Sequence, residues 1–274
     1  MDHSDIGNRM KLYEGVESDR FLMPLVPALA RIDGRCFSSF TAGLDRPYDV
    51  RLSQLMQETT KTLCEKTNAT IGYTQSDEIS VAWYSTNFKS QIFFDGRIQK
   101  MVSSLAAMAT LIFNRALVFQ CGLNRLPQEY ADKIPTFDAR VWSVPNEDEA
   151  ANTFLWRELD ATRNSIESAA RSVYSHKECF RVGCNKLQEM LLQRGINWND
   201  YPDFFKRGSW CQRRTTIRAF TTDEISRLPQ NHEARSNPNL EFERRSYQFI
   251  EMPIFSKVKN RAGVVLRGEV PEVE

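Results

Sequence analysis

Three acidic residues stand where predicted strands end. Asp33 closes an apolar run and is followed by Gly34, whose missing side chain lets backbone atoms approach a ligand closely. Asp77 and Glu78 lie in the polar tip between two β-rich runs, which together predict a hairpin. If the first strand pairs with this hairpin, Asp33 and Asp77 converge at one end of a sheet.

Carboxylate and backbone carbonyl oxygens are the hard ligands that Mg²⁺ prefers. Two such ions can activate an attacking hydroxyl and stabilise a leaving pyrophosphate, so the three acids predict a two-metal site for nucleotidyl transfer. A hairpin tip is also an ordinary place for Asp and Ser, because both residue types suit turns. On the residues alone, a two-metal site and a plain polar turn both stay open.

Basic residues flank these acids in the sequence, namely Arg31, Arg35, Arg46, Arg97 and Lys100. Arg97 and Lys100 are three residues apart in a predicted helix and therefore share one of its faces. Arginine binds phosphate through two hydrogen bonds and lysine acts as a point charge, which makes these residues candidates for holding a triphosphate. The alternative is a solvated helix start.

A second basic cluster, with aromatic residues interleaved, lies further along the chain. Its cations are Lys186, Lys206, Arg207, Arg213, Arg214 and Arg218, and its aromatic residues are Trp198, Tyr201, Phe204, Phe205 and Trp210. Cations pair with phosphates and rings stack on bases, so this composition suits a single-stranded RNA end. The alternative is that several of these rings belong to the core.

The elements that must position these residues follow from hydrophobic periodicity. The predicted order is strand, helix, hairpin, helix, strand and helix, at residues 25–32, 47–63, 69–84, 97–117, 136–144 and 147–173. Pro27 favours an edge position or a bulge in the first strand, and Pro47 opens the first helix with Asp45 as its cap. This order predicts an α+β fold: an antiparallel sheet of the split βαβ, ferredoxin-like type with helices on one face.

The rest of the chain shows weaker patterns. Residues 184–194 predict a further helix, and 196–218 is typical of a loop-bearing functional surface. Polar residues and prolines dominate after residue 219, which predicts an appendage with weak structure. The predicted regions are a catalytic core (1–145), a helical and loop region (146–218) and a C-terminal appendage (219–274).

Bulk composition disfavours some functional classes. The chain has 274 residues, of which 41% are hydrophobic and 26% charged, with a net charge of +1. A generic nucleic-acid coat is therefore disfavoured, and a polyanion must bind to local basic clusters. Met1–Asn8 lacks the basic-then-apolar pattern of a signal peptide, and polar residues interrupt the apolar stretch 98–119 too often for a bilayer span. We expect a soluble, cytoplasmic protein with no membrane partner.

Cysteine spacing gives little support to a metal cluster of another kind. The six cysteines include no Cys-x-x-Cys pair. His176, Cys179 and Cys184 are close in sequence but have no fourth ligand at a recognised spacing, so reduced, partly buried thiols are favoured over a zinc site.

The acidic motifs, taken with later segments, resemble the tRNA-His guanylyltransferase family and its wider 3′–5′ polymerase-like members. The first motif is Arg-Ile-Asp-Gly-Arg-x-Phe at residues 31–37, and the second is Tyr-x-Gln-Ser-Asp-Glu-x-Ser at residues 73–80. The resemblance continues through Arg97-x-x-Lys100, Phe137-Asp138-Ala139-Arg140, Gly195-Ile196-Asn197-Trp198-Asn199 and Lys206-Arg207-Gly208. It covers residues from about 5 to about 215.

The resemblance implies a core similar to the palm of ordinary polymerases that works in the opposite chemical direction. In the family, ATP activates a tRNA 5′ end that carries a monophosphate, and the 3′-hydroxyl of an incoming nucleoside triphosphate then attacks that end. The expected ligands are two Mg²⁺ ions, ATP and GTP or another nucleoside triphosphate, and tRNA. A homo-tetramer is expected on the same ground.

The resemblance also implies roles for individual residues. Asp33 and Asp77 would bind the two metal ions, Gly34 would offer its backbone carbonyl, and Glu78 would support the site. The implied nucleotide-binding positions are Arg31, Gly34, Arg35, Cys36, Phe37, Arg46, Ser76, Arg97 and Lys100. The implied positions for the RNA 5′ end are Lys186, Asn197, Lys206 and Arg207.

One departure from the family pattern bears on the substrate. Enzymes acting on tRNA-His carry a His-Ile-Asn-Asn-Leu-Tyr-Asn stretch in the long helix, whereas Thr162 stands here at the His position and Asn164 is what remains of the asparagine pair. This favours template-dependent addition of nucleotides to truncated tRNA over guanylate addition to tRNA-His alone, which is the alternative. An RNA-binding protein without catalysis is disfavoured by the intact acids, and a nucleotide cyclase by the segment 196–208.

Overall fold

A computed structural model describes residues 4–237 and 239–273 of the chain, so Met1, Asp2, His3 and Pro238 from the stretches discussed above lie outside the described residues. Within these residues, six strands form one sheet: β1 (Ala28–Arg35), β2 (Ile71–Gln75), β3 (Glu78–Trp83), β4 (Thr136–Ser143), β5 (Ser209–Ala219) and β6 (Glu241–Ile250). All neighbouring strands are antiparallel, and the spatial order is β4-β1-β3-β2-β5-β6.

The helices of the described residues surround this sheet. The longer ones are α1 (Asp5–Ser18), α3 (Val50–Thr67), α4 (Ile98–Gly122), α5 (Glu147–Arg171) and α7 (Cys184–Gln193). The short ones are α2 (Phe37–Phe40), α6 (His176–Cys179), α8 (Asp203–Lys206), α9 (Thr222–Arg227) and α10 (Arg261–Leu266).

The first four strands, with α3 and α4 between them, confirm the predicted antiparallel α+β fold. The chain order β1-α3-β2-β3-α4-β4 and the strand order β4-β1-β3-β2 are those of a ferredoxin-like split βαβ unit. The predicted stripe on the first helix is also confirmed, because Leu55, Met56 and Leu63 of α3 are buried in the core beneath the sheet.

The prediction of helices on one face is wrong, because helices cover both faces of the sheet. One face packs against α3 and α4, and the other packs against α5, α10 and a turn at Phe255. Successive strand residues point to opposite faces, and both sets are apolar in β1, where Ala28 and Ala30 alternate with Leu29. A strand that is apolar on both sides needs a cover on each.

Two local predictions about prolines are also wrong. Strand β1 lies between β3 and β4 rather than at an edge, and Pro27 precedes its first residue. Helix α3 begins at Val50 and not at Pro47, because the carboxylate of Asp49 accepts the amide hydrogens at the start of the helix. Asp45 is not the cap, and its own amide donates to Asp49 at 3.1 Å.

The predicted loop and weak tail are in fact parts of the sheet and the core. Strand β5 occupies the second half of the predicted loop 196–218, and β6 pairs with it along ten positions. Beyond β6, the C-terminal segment 251–273 buries Phe255, Val264 and Val265 against α5 and β5. Each of the three predicted regions therefore contributes at least one strand to one sheet.

The second half of α5 forms a separate cluster with the helices that follow it. Residues 166–206, called here the helical lobe, bury Leu187, Leu191, Trp198 and Phe205 together. Trp198 and Phe205, together with Trp210 in the core on the α5 face of the sheet, confirm the core alternative for three aromatic residues of the second basic cluster.

Helix α4 is the one helix of the described residues that is long and apolar enough, by length and composition, to cross a membrane. Met101, Leu105 and Phe113 on its inner side are fully buried in the core. Core helices of globular proteins meet the same criterion, and the absence of a membrane partner stays a prediction.

A buried carboxylate ties the C-terminal segment to α5. Glu158 is 3% exposed, and it accepts the backbone N–H of Phe255 at 3.1 and 3.2 Å. Burial raises the pKa of Glu158 to about 7, although the hydrogen bond from the Phe255 N–H favours the charged carboxylate and lowers the pKa.

Because this pKa is raised on folding, stability should fall as pH rises. The folded protein holds a proton that the unfolded chain loses above the ordinary value of 4.5, so the free energy of unfolding should fall by up to about 3 kcal/mol between pH 4.5 and 7 and then level off. Glu158→Gln should make this slope clearly shallower in denaturant titrations at several pH values. Glu167→Gln, on the exposed side of the same helix, should retain it, and identical slopes in wild type and Glu158→Gln would refute the assignment.

Candidate active site

The strand register places three carboxylates side by side. Asp33 on β1 lies opposite Glu78 on β3 and opposite Asp138 on β4. Directly opposed residues of antiparallel strands point to the same face, and here that face is the one covered by α5. The three acids form a row across β4, β1 and β3 at one end of the sheet.

The hairpin tip brings a fourth acid to this row. Asp77 lies in the turn between β2 and β3, and its carbonyl accepts the Gly34 amide at 3.0 Å. Ser76 adopts the left-handed conformation with φ 54°, and its hydroxyl lies 3.0 Å from the Asp77 carboxylate. The predicted convergence of Asp33 and Asp77 is therefore present in the structure, with the turn bonded to the end of β1.

Two arginines hold Glu78. Its carboxylate lies 2.7 Å from Nε of Arg157 on α5 and 3.7 Å from Nε of Arg31 on β1. Arg157 is 9% exposed and also pairs with Asp160 at 2.7 Å. Glu78 is thus fixed between the sheet and the helix, and its negative charge is compensated by protein groups.

The pKa values of the two acids at the tip reflect this environment. Burial raises the pKa of Asp77, the charge of Asp33 raises it further, and the Ser76 hydroxyl opposes the shift. Burial also raises the pKa of Glu78, while Arg157 and Arg31 oppose that shift. Asp77 lacks such a cation and lies beside another acid, so a bound cation would relieve the repulsion.

The donor set fits a hard divalent cation. Among the described residues no Lys or Arg forms an ion pair with Asp33 or Asp77, and no three His, Cys, Asp or Glu side chains converge on a possible metal position. A metal here would take the carboxylates of Asp33 and Asp77 and the carbonyl of Gly34, with water and phosphate oxygens completing its shell. Mg²⁺ binds in this way at nucleotide sites, through one or two carboxylates and substrate phosphates.

Gly34 is required by close packing behind the acids. A side-chain carbon at this position would lie 2.3 Å from the Phe37 ring. Phe37 is buried, with ring centroids 5.1 to 5.5 Å from those of Phe40, Phe113 and Phe137. Its side chain therefore belongs to the core rather than to a nucleotide contact, whereas Cys36 is exposed.

A cavity of about 390 Å³ opens beside the acids, a size that suits a nucleotide. Of the predicted site residues, Asp33, Arg46, Ser76, Asp77 and Glu78 line it. Its other walls come from α3, the preceding loop, α5 and α8, through residues that include Tyr48, Asp49, Leu52, Met56, Arg157, Asp160, Asn164 and Phe204.

Two predicted phosphate-binding residues lie elsewhere. Arg97 directly precedes α4 and forms an isolated bridge with Phe21, and its guanidinium carbon is 5.1 Å from the Phe21 ring centroid. Phe21 precedes β1, and Asp33 is near the opposite end of that strand. Arg97 and Lys100, one helical turn apart, therefore lie at the far end of the sheet from Asp33.

The predicted RNA 5′-end residues all belong to the helical lobe or its edge, and none lines the cavity. Lys206 is 8% exposed and donates to the Asn199 carbonyl at 2.6 Å. Arg207 pairs with Asp203, and Asn197 caps the turn that follows it. Lys186 is exposed, with Glu189 at 2.9 Å.

Comparison with known proteins identifies the family of the chain, and the matched region includes both acidic motifs. The family model described as tRNAHis guanylyltransferase (Thg1) matches residues 7–145, about half of the chain. The chain belongs to this family. The resemblance of the acidic motifs is thereby confirmed, and the chain is a member of a family of nucleotidyltransferases.

Individual relatives align with the chain over more residues than the family model does. A protein of Acanthamoeba polyphaga mimivirus, R259, is 30% identical over 220 residues, covering 74% of this chain and 75% of that one. The tRNA(His) guanylyltransferase of Schizosaccharomyces pombe is 28% identical over 216 residues, covering 73% and 77%.

Solved structures share the fold. A bacterial Thg1-like protein in complex with ATP has a TM-score of 0.69 at 35% identity, covering 77% of this chain and 87% of that one. One in complex with GTP has a TM-score of 0.69 at 29% identity, covering 93% and 95%.

The contribution of α5 to the candidate site was not predicted from the sequence. Arg157, Asp160 and Asn164 are spaced by three and four residues, which places them on one side of a helix. This spacing can be seen in the sequence. Nothing in these polar residues, however, indicates that the helix packs over the end of the sheet that carries the acids.

Replacing Arg157 should harm both stability and activity. Arg157→Ala leaves Glu78 buried with the more distant Arg31, at a cost of about 3 kcal/mol in the free energy of unfolding. Displacement of the β3 end should reduce nucleotide addition by about 100-fold. Arg171→Ala removes a surface pair on the same helix and should change both by little; equal behaviour of the two variants would refute the role of Arg157.

Proposed function

We propose that this chain adds nucleotides to the 5′ end of truncated tRNA as a template-dependent 3′–5′ nucleotidyltransferase. The observation that carries the proposal is the position of Asp33, Asp77 and Glu78 at the mouth of a nucleotide-sized cavity. Family membership and Thg1-like structures in complex with ATP and GTP support the substrate class.

The reaction has two transfers when the RNA ends in a monophosphate. An oxygen of the 5′-phosphate attacks the α-phosphorus of ATP, so that an adenylated end forms and pyrophosphate leaves. The 3′-hydroxyl of the incoming nucleoside triphosphate then attacks the 5′-phosphorus of the RNA, and AMP leaves. A 5′-triphosphate end needs the second transfer alone, with pyrophosphate as the leaving group.

The chain's own residues bind and orient the reactants. Asp33, Asp77 and the Gly34 carbonyl would hold two Mg²⁺ ions, which when bound lower the pKa of an attacking hydroxyl and stabilise a leaving phosphate. Arg46 and Ser76 line the cavity and would contact the triphosphate of the activating nucleotide. Arg157 holds Glu78 and so keeps the end of β3 in place.

Guanylate addition to tRNA-His is the second candidate, favoured by the names of several relatives. The lost His is the observation against it. Thr162 lies on α5, where its carbonyl accepts the Ser165 hydroxyl, whereas the surviving Asn164 lines the cavity. A threonine cannot stack or protonate as an imidazole does, so recognition that depends on that ring is absent here.

The proposal predicts that purified protein with Mg²⁺ extends a 5′-truncated tRNA opposite its template strand. Asp33→Ala and Asp77→Ala should reduce addition below detection with an unchanged melting temperature, because they remove metal ligands and leave the core intact. Adding each of the four nucleotides separately, and comparing truncated tRNA-His with an unrelated truncated tRNA, separates the two candidates. Failure on both monophosphate and triphosphate ends would refute the proposal.

We also propose a homo-tetramer in the cytoplasm, where reduced cysteines persist. Helix α1 buries none of its residues, although isolated helices of this length are marginal in water. The outer side of α4 exposes Leu111, Val118 and Phe119. Such exposed apolar side chains suit contacts between copies, and a second copy can bring Arg97 and Lys100 towards the cavity.

Charge on the outer side of α4 should disrupt the assembly. Leu111→Arg and Phe119→Arg are expected to shift the sedimentation coefficient from that of a tetramer to a smaller species, because each buries a charge in an apolar contact. Leu192→Arg, an equally exposed position on α7, should not. A monomeric wild type, or a tetramer in all three variants, would refute the proposed interface.

A further inference from the structure

An exposed tryptophan lies next to the acidic row, outside the cavity. Trp156 on α5 is 51% exposed, and its ring centroid is 4.3 Å from the guanidinium carbon of Arg157 and 5.8 Å from that of Arg31. A large aromatic side chain that is half exposed and bordered by cations is a typical platform for a nucleic-acid base.

The neighbouring strand adds a further cation to this surface. Arg140 on β4 lies directly opposite Arg31 on β1, so both point to the α5 face of the sheet. The Arg140 side chain is 55% exposed, and its ion partner Asp138 is 3.6 Å away. Trp156, Arg31 and Arg140 are called here the β4–α5 surface.

The position of this surface relative to the cavity determines which reactant it can take. The cavity lies on the side of β2, β3 and α3, and neither Trp156, Arg31 nor Arg140 lines it. The β4–α5 surface lies on the opposite side, because β4 is the outer neighbour of β1 in the sheet. Asp33 lies between the cavity and the β4–α5 surface. It is two residues after Arg31 on β1, so the two side chains point to the same face of the sheet.

Nucleotidyl transfer needs two reactants that meet at the acids from different directions. The cavity has the size of a nucleoside triphosphate, which leaves the RNA end to approach from the other side. The groups available there are an aromatic ring for a base and an exposed guanidinium for a backbone phosphate.

We propose that the β4–α5 surface receives the RNA 5′ end, with the terminal base stacked on Trp156 and a phosphate bound by Arg140. This inference rests on the proposed function and assigns its RNA-binding surface.

Binding of RNA without catalysis tests the assignment. The probe is a 5′-truncated, 5′-monophosphorylated tRNA with a fluorophore at its 3′ end, measured by anisotropy in the absence of nucleotides. Trp156→Ala and Arg140→Ala should each weaken binding by about tenfold, and Trp156→Phe should largely restore it. Phe180→Ala is the matched control, because Phe180 is 59% exposed and carries the Arg181 guanidinium 5.2 Å from its ring, but lies in the helical lobe.

A circularised form of the same RNA separates the end from the body of the molecule. It has no 5′ end, so Trp156→Ala should not weaken its binding. Equal affinity of wild type, Trp156→Ala and Arg140→Ala for the linear probe would overturn the proposal, as would equal losses for the linear and circular RNA or for Phe180→Ala.

Steady-state kinetics give a second, independent readout. Trp156→Ala and Arg140→Ala should raise KM for the RNA and leave KM for ATP unchanged, whereas a fall in kcat alone would assign Trp156 to the support of Arg157 and overturn the proposal. If wild type binds the linear RNA through these residues but extends no tRNA, the proposed function fails while the surface assignment stands.

Discussion

The site depends on one antiparallel register, in which Asp33 on β1 faces Glu78 on β3. A slip of one residue would turn every side chain of β3 to the opposite face, and Glu78 would point at α3 and α4 instead of α5. The bond from the Gly34 amide to the Asp77 carbonyl connects the hairpin turn to the end of β1 and secures this register. The same contact therefore sets the spacing of the acids.

Helix α5 connects the strands that carry the acids to the rest of the site. Its first half packs on the sheet with the C-terminal segment, its middle contributes Arg157 to Glu78, and its second half belongs to the helical lobe. Glu158, next to Arg157, accepts the amide of Phe255. The C-terminal segment is thus connected to the acids through two neighbouring residues of one helix, which explains why a stretch outside the family match is built into the core.

Local patterns predicted the parts of the fold that local physics determines. The stripe on α3, the hairpin tip at Asp77 and the first four strands follow from periodicity and turn chemistry, and the acids at strand ends followed from them. The last two strands could not be found in this way, because β5 and β6 pair with partners distant in sequence or with each other across a long connection, and their arginines and threonines resemble a loop. Asp49 was not predicted as the cap, because Pro47 suggested that the helix begins three residues earlier than it does.

The placement of the basic residues was the least predictable part. Arg97 and Lys100 are close to the acids in sequence, but β3 carries the chain to the far end of the sheet before α4 begins. Arg157 is distant in sequence and closest to Glu78 in space. Charge complementarity is decided by tertiary contacts, which neither spacing nor composition contains.

The central claim is that Asp33 and Asp77 together hold two metal ions beside a bound nucleotide. Electron paramagnetic resonance of Mn²⁺, titrated into the protein with a non-hydrolysable ATP analogue, measures this directly. The account predicts two bound ions in wild type and at most one in Asp33→Asn or Asp77→Asn. Asp138→Asn is the control and should also bind two ions, because the wild-type Asp138 carboxylate already pairs with Arg140. Two bound ions in all four proteins would contradict it.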